Sequence, residues 1–145
     1  MTSAPDNSEE VLLNKHPGHV LVAEDHEVNQ KLVKNFLDRL GYSYVVVADG
    51  QMVLEALRTE CFDLVLMDCM MPNVDGYEAT LRIRTDELIK GGRRLPIIAV
   101  TANATSDEID RCRAVGMDDC LAKPFKAQAL ELMLKKWLPA ATEKA

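Results

Sequence analysis

The sequence predicts an α/β fold: a parallel sheet of five strands, doubly wound by helices on both faces. Two observations predict it. Short apolar runs without polar alternation recur five times, as strands buried on both faces require. Between them lie segments whose apolar residues repeat at helical spacing, so strand and helix alternate along the chain. The chain has 145 residues, 48% of them hydrophobic, which suits one ordinary globular domain.

HVLVA (19–23) is the first strand. Val28, Leu32, Phe36 and Leu40 then recur at helical spacing as the inner face of a helix, and Gly41 stops it. YVVVA (44–48) is β-branched and forms the second strand. Val53, Leu54 and Leu57 share one face of a helix over 51–60. DLVLM (63–67) is the third strand, followed by the turn-like MPNVDG and a helix from about Tyr77. PIIAV (96–100) is the fourth, with Pro96 tolerable at its start. Thr105 and Glu108 have capping-box spacing, and Gly116 ends the helix they open. DCLA (119–122) is a short fifth strand; Leu130, Met133, Leu134, Trp137 and Leu138 mark a final amphipathic helix. Residues 1–18, rich in Ser, Pro, Asn, Glu and Gly, read as a flexible leader with a small apolar cluster at Val11, Leu12 and Leu13. The folded unit is then 19–138, and 139–145 is a tail.

The net charge is −6 with no basic cluster, which argues against direct nucleic-acid binding. No apolar run approaches the ~18–20 residues of a membrane span, and the N-terminus lacks the pattern of a secretory signal. A cytoplasmic domain without membrane contact is expected, in a free or membrane-anchored parent. Cys61, Cys69, Cys112 and Cys120 form no C-x-x-C pair, and His16, His19 and His26 complete no zinc pattern. Four reduced, mostly buried thiols are expected.

Ligands of open α/β sheets bind beyond the carboxyl ends of the strands. Glu24 and Asp25 follow the first strand, Asp68 the third, Thr101 the fourth and Lys123 the fifth. An acid after a strand is commonly a loop residue or a helix cap. Five chemically matched groups from four strands are a different matter. Three convergent carboxylates repel one another, and a divalent cation removes that repulsion. Oxygen-only ligands favour Mg²⁺, which binds one or two carboxylates together with phosphate oxygens. Metal, nucleophilic carboxylate, lysine and hydroxyl together make a phosphoryl-transfer site.

The runs LVAEDHEVNQ, LVLMDCMMPNVDGYEA, IIAVTANA and GMDDCLAKPF resemble the receiver domains of two-component response regulators, above all those of hybrid sensor histidine kinases. The resemblance covers residues 19–138. It implies the flavodoxin-like (βα)₅ fold with strand order 2-1-3-4-5. It implies Asp68 as phosphoacceptor, and Glu24, Asp25, Asp68 and the backbone carbonyl of Met70 around Mg²⁺, for which Mn²⁺ substitutes. Thr101 matches the switch hydroxyl and Lys123 the lysine that pairs with the phosphoryl group. Pro124 matches the position of a cis peptide, and Asp75–Gly76 a turn in which glycine permits the needed backbone angles. The implied role is a phosphorelay receiver rather than an enzyme, with a histidine kinase core or a histidine-phosphotransfer protein as donor. Signalling would follow from a shift around Thr101 and Lys123, in a stand-alone receiver or one belonging to a hybrid kinase.

Two positions depart from the family pattern. Cys120 stands where an aromatic switch residue is frequent, and the acid pair is Glu–Asp rather than Asp–Asp. Other readings fit less well. An aspartyl phosphatase or mutase needs an acid two residues after the nucleophile, where Met70 stands. A flavin phosphate would be repelled by Glu24 and Asp25. A degenerate receiver would lack one of the reactive groups. His26 is expected as an exposed loop histidine, residues 107–111 as a solvated helix face, and Trp137 as a packing anchor.

Overall fold

The computed structural model describes residues 18–138. Val11–Leu13, His16 and the tail from 139 lie outside the described residues. Strand and helix alternate throughout: β1 (His19–Ala23), α1 (Glu27–Leu40), β2 (Ser43–Val47), α2 (Gly50–Thr59), β3 (Leu64–Asp68), α3 (Gly76–Lys90), β4 (Ile97–Thr101), α4 (Ser106–Val115), β5 (Asp119–Ala122) and α5 (Ala127–Trp137). All strand pairs are parallel, in the order β2-β1-β3-β4-β5. Register fixes the carboxyl edge: Ala23 lies opposite Met67, Asp68 opposite Val100, and Thr101 opposite Ala122. The residues after these partners therefore emerge side by side.

The sheet separates two apolar layers, as strands buried on both faces demand. Leu21, Val65, Met67 and Ile97 face a layer completed by Val53 of α2, Tyr77 and Ile83 of α3 and Cys112 of α4. Val20, Leu66 and Ile98 face the other, completed by Val33 and Leu37 of α1 and by Leu130 and Leu134 of α5. Helix ends follow their signals. Asp75 accepts the Glu78 N–H at 2.9 Å, and Thr105 accepts the Glu108 N–H at 3.2 Å. Gly41 and Gly116 close α1 and α4 at φ 86° and 106°, a region that favours glycine.

The inner face of α1 differs from the expected one. Val33 and Leu37 are buried and Phe36 and Leu40 half-buried, while Val28 is 77% and Leu32 40% exposed. A repeat of i, i+4 drifts around a helix of 3.6 residues per turn, so Val28 and Leu32 rotate off the buried stripe that their spacing suggested. The thiols also divide differently: Cys69 and Cys112 are buried, Cys61 is exposed and Cys120 half-buried, all four free. Residues 107–111 are largely exposed, but the Arg111 guanidinium stacks 3.8 Å over the Tyr77 ring. Trp137 packs as expected and also donates its indole N–H to Asp119 at 2.9 Å.

A polar knot closes the edge of the sheet opposite the loops after the strands. Arg84 of α3 donates to Asp118 at 2.8 Å, to Glu87 at 2.9 Å and to the Gly116 carbonyl at 2.9 Å. Asp118 also accepts the Ile97 N–H at 2.9 Å, and Glu87 accepts the Leu95 N–H at 2.9 Å. Arg84 and Asp118 are each 11% exposed, so losing Asp118 leaves Arg84 short of one carboxylate in a poorly solvated place and takes the carboxylate partner from Arg94, which also reaches Asp118. Asp118→Ala should lower the unfolding free energy by about 3 kcal/mol in urea titrations; a loss below about 1 kcal/mol would show that the knot contributes little.

Candidate functional site

Each predicted polar residue sits at the carboxyl edge of the sheet. Glu24 is buried one residue past β1, Asp68 is buried as the last residue of β3, and Thr101 is buried as the last residue of β4. Lys123 follows β5, and its ammonium joins the two buried acids, 2.8 Å from Glu24 Oε1 and 3.0 Å from Asp68 Oδ2. The peptide Lys123–Pro124 is cis.

Backbone donors take the remaining oxygens. Glu24 Oε2 accepts the His26 N–H at 3.0 Å, and Asp68 Oδ1 accepts the Met70 N–H at 3.1 Å. Gln30 of α1 donates to the Glu24 carbonyl at 2.6 Å, which holds the turn between β1 and α1. Thr101 Oγ1 accepts the Asn103 N–H at 3.1 Å, so the hydroxyl is engaged with its own loop. Asp25 is different. Its Oδ1 is buried and accepts no hydrogen bond; the His26 ring nitrogen approaches to 3.2 Å without hydrogen-bond geometry. His26 itself is exposed, as expected of a loop histidine. Met70 is also exposed.

The charges oppose burial to different extents. Burial works to raise the Glu24 pKa, but the Lys123 hydrogen bond and the His26 N–H outweigh it, so Glu24 titrates below the usual carboxylate range. Burial dominates at Asp68, only partly offset by Lys123 and the Met70 N–H, and its pKa is raised. Lys123 loses solvation too, but its two carboxylate partners raise its pKa above that of a free lysine.

The loop after β3 is held by contacts absent from the sequence reading. Gly76 was expected to supply unusual backbone angles, yet the left-handed residue of this loop is Asn73, at φ 64°. The constraint at Gly76 is steric: a Cβ there would lie 2.4 Å from the Asp68 carbonyl oxygen. Gly50 is pressed in the same way against the Val74 carbonyl and donates its N–H to it at 2.8 Å. Asn73 donates to the Asp49 carboxylate at 2.9 Å. The β3–α3 loop is thereby pinned to the start of α2. The "DG" pairs at 49–50 and 75–76 are its only trace in the sequence.

This arrangement belongs with known proteins. The family model of the response regulator receiver domain matches residues 20–135. The chain belongs to that family. It is 44% identical over 119 residues to the virulence sensor protein BvgS of Bordetella pertussis, covering 81% of this chain and 10% of that protein. The chain spans about a tenth of the length of the curated relatives it matches. Among solved structures it resembles the receiver domain of the sensor histidine kinase PA1611 from Pseudomonas aeruginosa PAO1, at 42% identity and a TM-score of 0.75. That match covers 83% of this chain and 96% of that one, and that domain carries a magnesium ion in its active-site cleft. It also resembles a Saccharomyces cerevisiae co-crystal of the phosphotransfer protein Ypd1 with the receiver domain of Ssk1, at 27% identity and a TM-score of 0.81, covering 85% and 90%. The chain is thus a receiver domain with the five-stranded order expected of it.

The raised pKa of Asp68 has a consequence for stability. The folded state holds the Asp68 proton more tightly than the unfolded chain does, so ionising Asp68 costs stability as pH rises above its ordinary range. In EDTA at pH 7, Asp68→Asn should be more stable than wild type by about 1 kcal/mol, the common scale of a single-site change. The gap should close as pH falls below the ordinary aspartate value, where wild-type Asp68 is protonated in both states. Equal urea midpoints at pH 7 would show that Lys123 fully compensates the buried charge.

Proposed function

We propose that this receiver, taken as residues 19–138, accepts a phosphoryl group on Asp68 from a phosphohistidine. The observation that carries the reading is the Lys123 ammonium held between two buried acids that arrive from different strands. One Asp68 oxygen attacks phosphorus, the P–N bond breaks, and the imidazole leaves. Lys123 offsets charge on the nucleophile and on the transferred oxygens. The Thr101 hydroxyl turns from Asn103 to a phosphoryl oxygen, which supplies the difference in contacts that a two-state shift requires. Because Cys120 carries no ring, the change is concentrated in residues 101–116.

A hard divalent cation fits this chemistry. The donors are oxygens, and Asp25 Oδ1 is a buried acceptor without a hydrogen bond. Glu24, Asp25, Asp68 and the Met70 carbonyl would hold Mg²⁺, or Mn²⁺ in its place, which when bound supplies neutralisation of phosphoryl oxygen charge. The phosphoacceptor reading makes this chain a signalling module rather than an enzyme, acting in the cytoplasm and without nucleic-acid or membrane contact of its own. Among the described residues no helix is long and apolar enough to cross a membrane.

The donor is a histidine kinase core or a histidine-phosphotransfer protein. Its docking face is α1 and the adjoining loops. Leu32 and Asn29 border a groove of about 250 Å³ that runs past Lys123 to Pro124 and Phe125, and exposed Val28 precedes Asn29 on the same helix. An apolar helix face of a donor fits this surface, and it places the phosphohistidine near Asp68.

Two measurements test the reading. With acetyl phosphate and Mg²⁺, intact mass should show one added phosphoryl group in wild type and none in Asp68→Asn or in EDTA. Modification of the Asn variant would move the acceptor elsewhere. Leu32→Asp should slow transfer from a phosphohistidine donor about tenfold, matching the loss of ~1.4 kcal/mol of contact, while acetyl phosphate still labels Asp68 at the wild-type rate. Unchanged transfer from the protein donor would take α1 out of the docking face.

A further inference from the structure

Behind Asp68, the fold gathers three ligand-type side chains that stand far apart in sequence. Cys69 follows Asp68 at the end of β3 and is fully buried. Cys112, on the inner face of α4, is also buried, and its Sγ lies 3.8 Å from the Cys69 Sγ. Glu108 is one helical turn before Cys112 on the same helix, and the ligand atoms of all three lie within 4.8 Å of one another.

The geometry suits one class of ion. Tetrahedral zinc holds sulfur at ~2.3 Å, which puts two sulfurs of one coordination sphere about 3.8 Å apart. The observed thiol separation already equals that edge. The half-buried Glu108 carboxylate lies within 4.8 Å of both sulfurs, near enough to offer the third ligand. A cavity of about 160 Å³ lined by Cys112, Cys120, Ile109 and Met117, though not by Cys69 or Glu108, opens onto the Cys112 side. Two soft sulfurs and one oxygen select a thiophilic d¹⁰ cation over Mg²⁺, whereas the Asp68 site offers oxygen alone. We propose that Cys69, Cys112 and Glu108 form a second cation site, for a divalent ion of the zinc class, that fastens α4 to the end of β3.

Binding forms two metal–sulfur bonds, and the two thiol protons pass to solvent. The ion bridges the strand that carries Asp68 and the helix that follows the Thr101 loop. Occupancy therefore restrains α4 (Ser106–Val115) through Cys69, the immediate chain neighbour of Asp68. The protein would read the supply of a soft metal through the stiffness of α4.

Cd²⁺ is the probe, because thiolate-to-cadmium charge transfer gives an absorption band in the ultraviolet. The full chain carries Cys61→Ser to remove the exposed thiol, and saturating Mg²⁺ occupies any oxygen-only site. One Cd²⁺ per chain should bind with this band, and Zn²⁺ should displace it. Cys112→Ala should abolish the band, Glu108→Gln should weaken binding about tenfold, and Cys120→Ser should leave it unchanged. Hydrogen exchange across α4 should slow when Cd²⁺ is bound. The proposal is overturned by absence of the band at millimolar Cd²⁺, which would leave two thiols in simple packing contact. A band that survives Cys112→Ala overturns it too, as does one lost in Cys120→Ser but indifferent to Glu108→Gln. If circular dichroism shows Cys112→Ala unfolded, the Glu108→Gln titration decides. Unchanged exchange in α4 would remove the fastening.

Discussion

One ammonium group makes the rest of the site possible. Glu24 and Asp68 are buried at the ends of neighbouring strands, and two anions so placed repel each other at short range. Charges about 4 Å apart interact by about 4 kcal/mol at an effective dielectric of about 20. Lys123 supplies two attractions of that order against one repulsion, being within 3.0 Å of both acids. That sum keeps the group folded, but desolvation is left over, and it falls on Asp68, whose pKa rises while that of Glu24 falls. The residue with the least settled charge is the one proposed to react. A phosphoryl group and a cation arriving together would meet a site already short of solvation.

The framework around this group is built from close backbone approaches. Gly76 lets α3 start against the Asp68 carbonyl, and Gly50 lets α2 start against the Val74 carbonyl. The Asn73–Asp49 hydrogen bond ties the two starts together. The Asp68 carboxylate therefore projects from a strand end whose backbone is braced on one side by α3 and on the other by β4. At this edge the Thr101 hydroxyl is bonded within its own loop and Met70 faces solvent.

Much of this was legible from spacing. Five apolar runs gave five strands within one residue at each end, because a strand buried on both faces leaves a continuous hydrophobic signature. Thr105 with Glu108, Gly41 and Gly116 marked helix ends, since caps are local chemistry and need no partner from elsewhere in the chain. The convergence of Glu24, Asp68, Thr101 and Lys123 followed from the rule that parallel strands share a carboxyl edge. What escaped the sequence depends on contacts between distant residues. The stripe of α1 turned on 3.6-residue geometry that separates Val33 from Leu32. The reason for Gly76 is the position of a carbonyl eight residues earlier. Arg84 and Asp118, 34 residues apart, carry no spacing that announces a shared knot.

The sheet is also a partition. α1 and α5 lie on one side of it, and α2, α3 and α4 on the other, each side with its own apolar layer. Asp68 stands at the rim where the two sides meet. A protein seated on α1 and another seated on α4 would stand on opposite faces of the sheet. Such a wall allows two visitors at once, and their order of arrival then need not be enforced by competition for space.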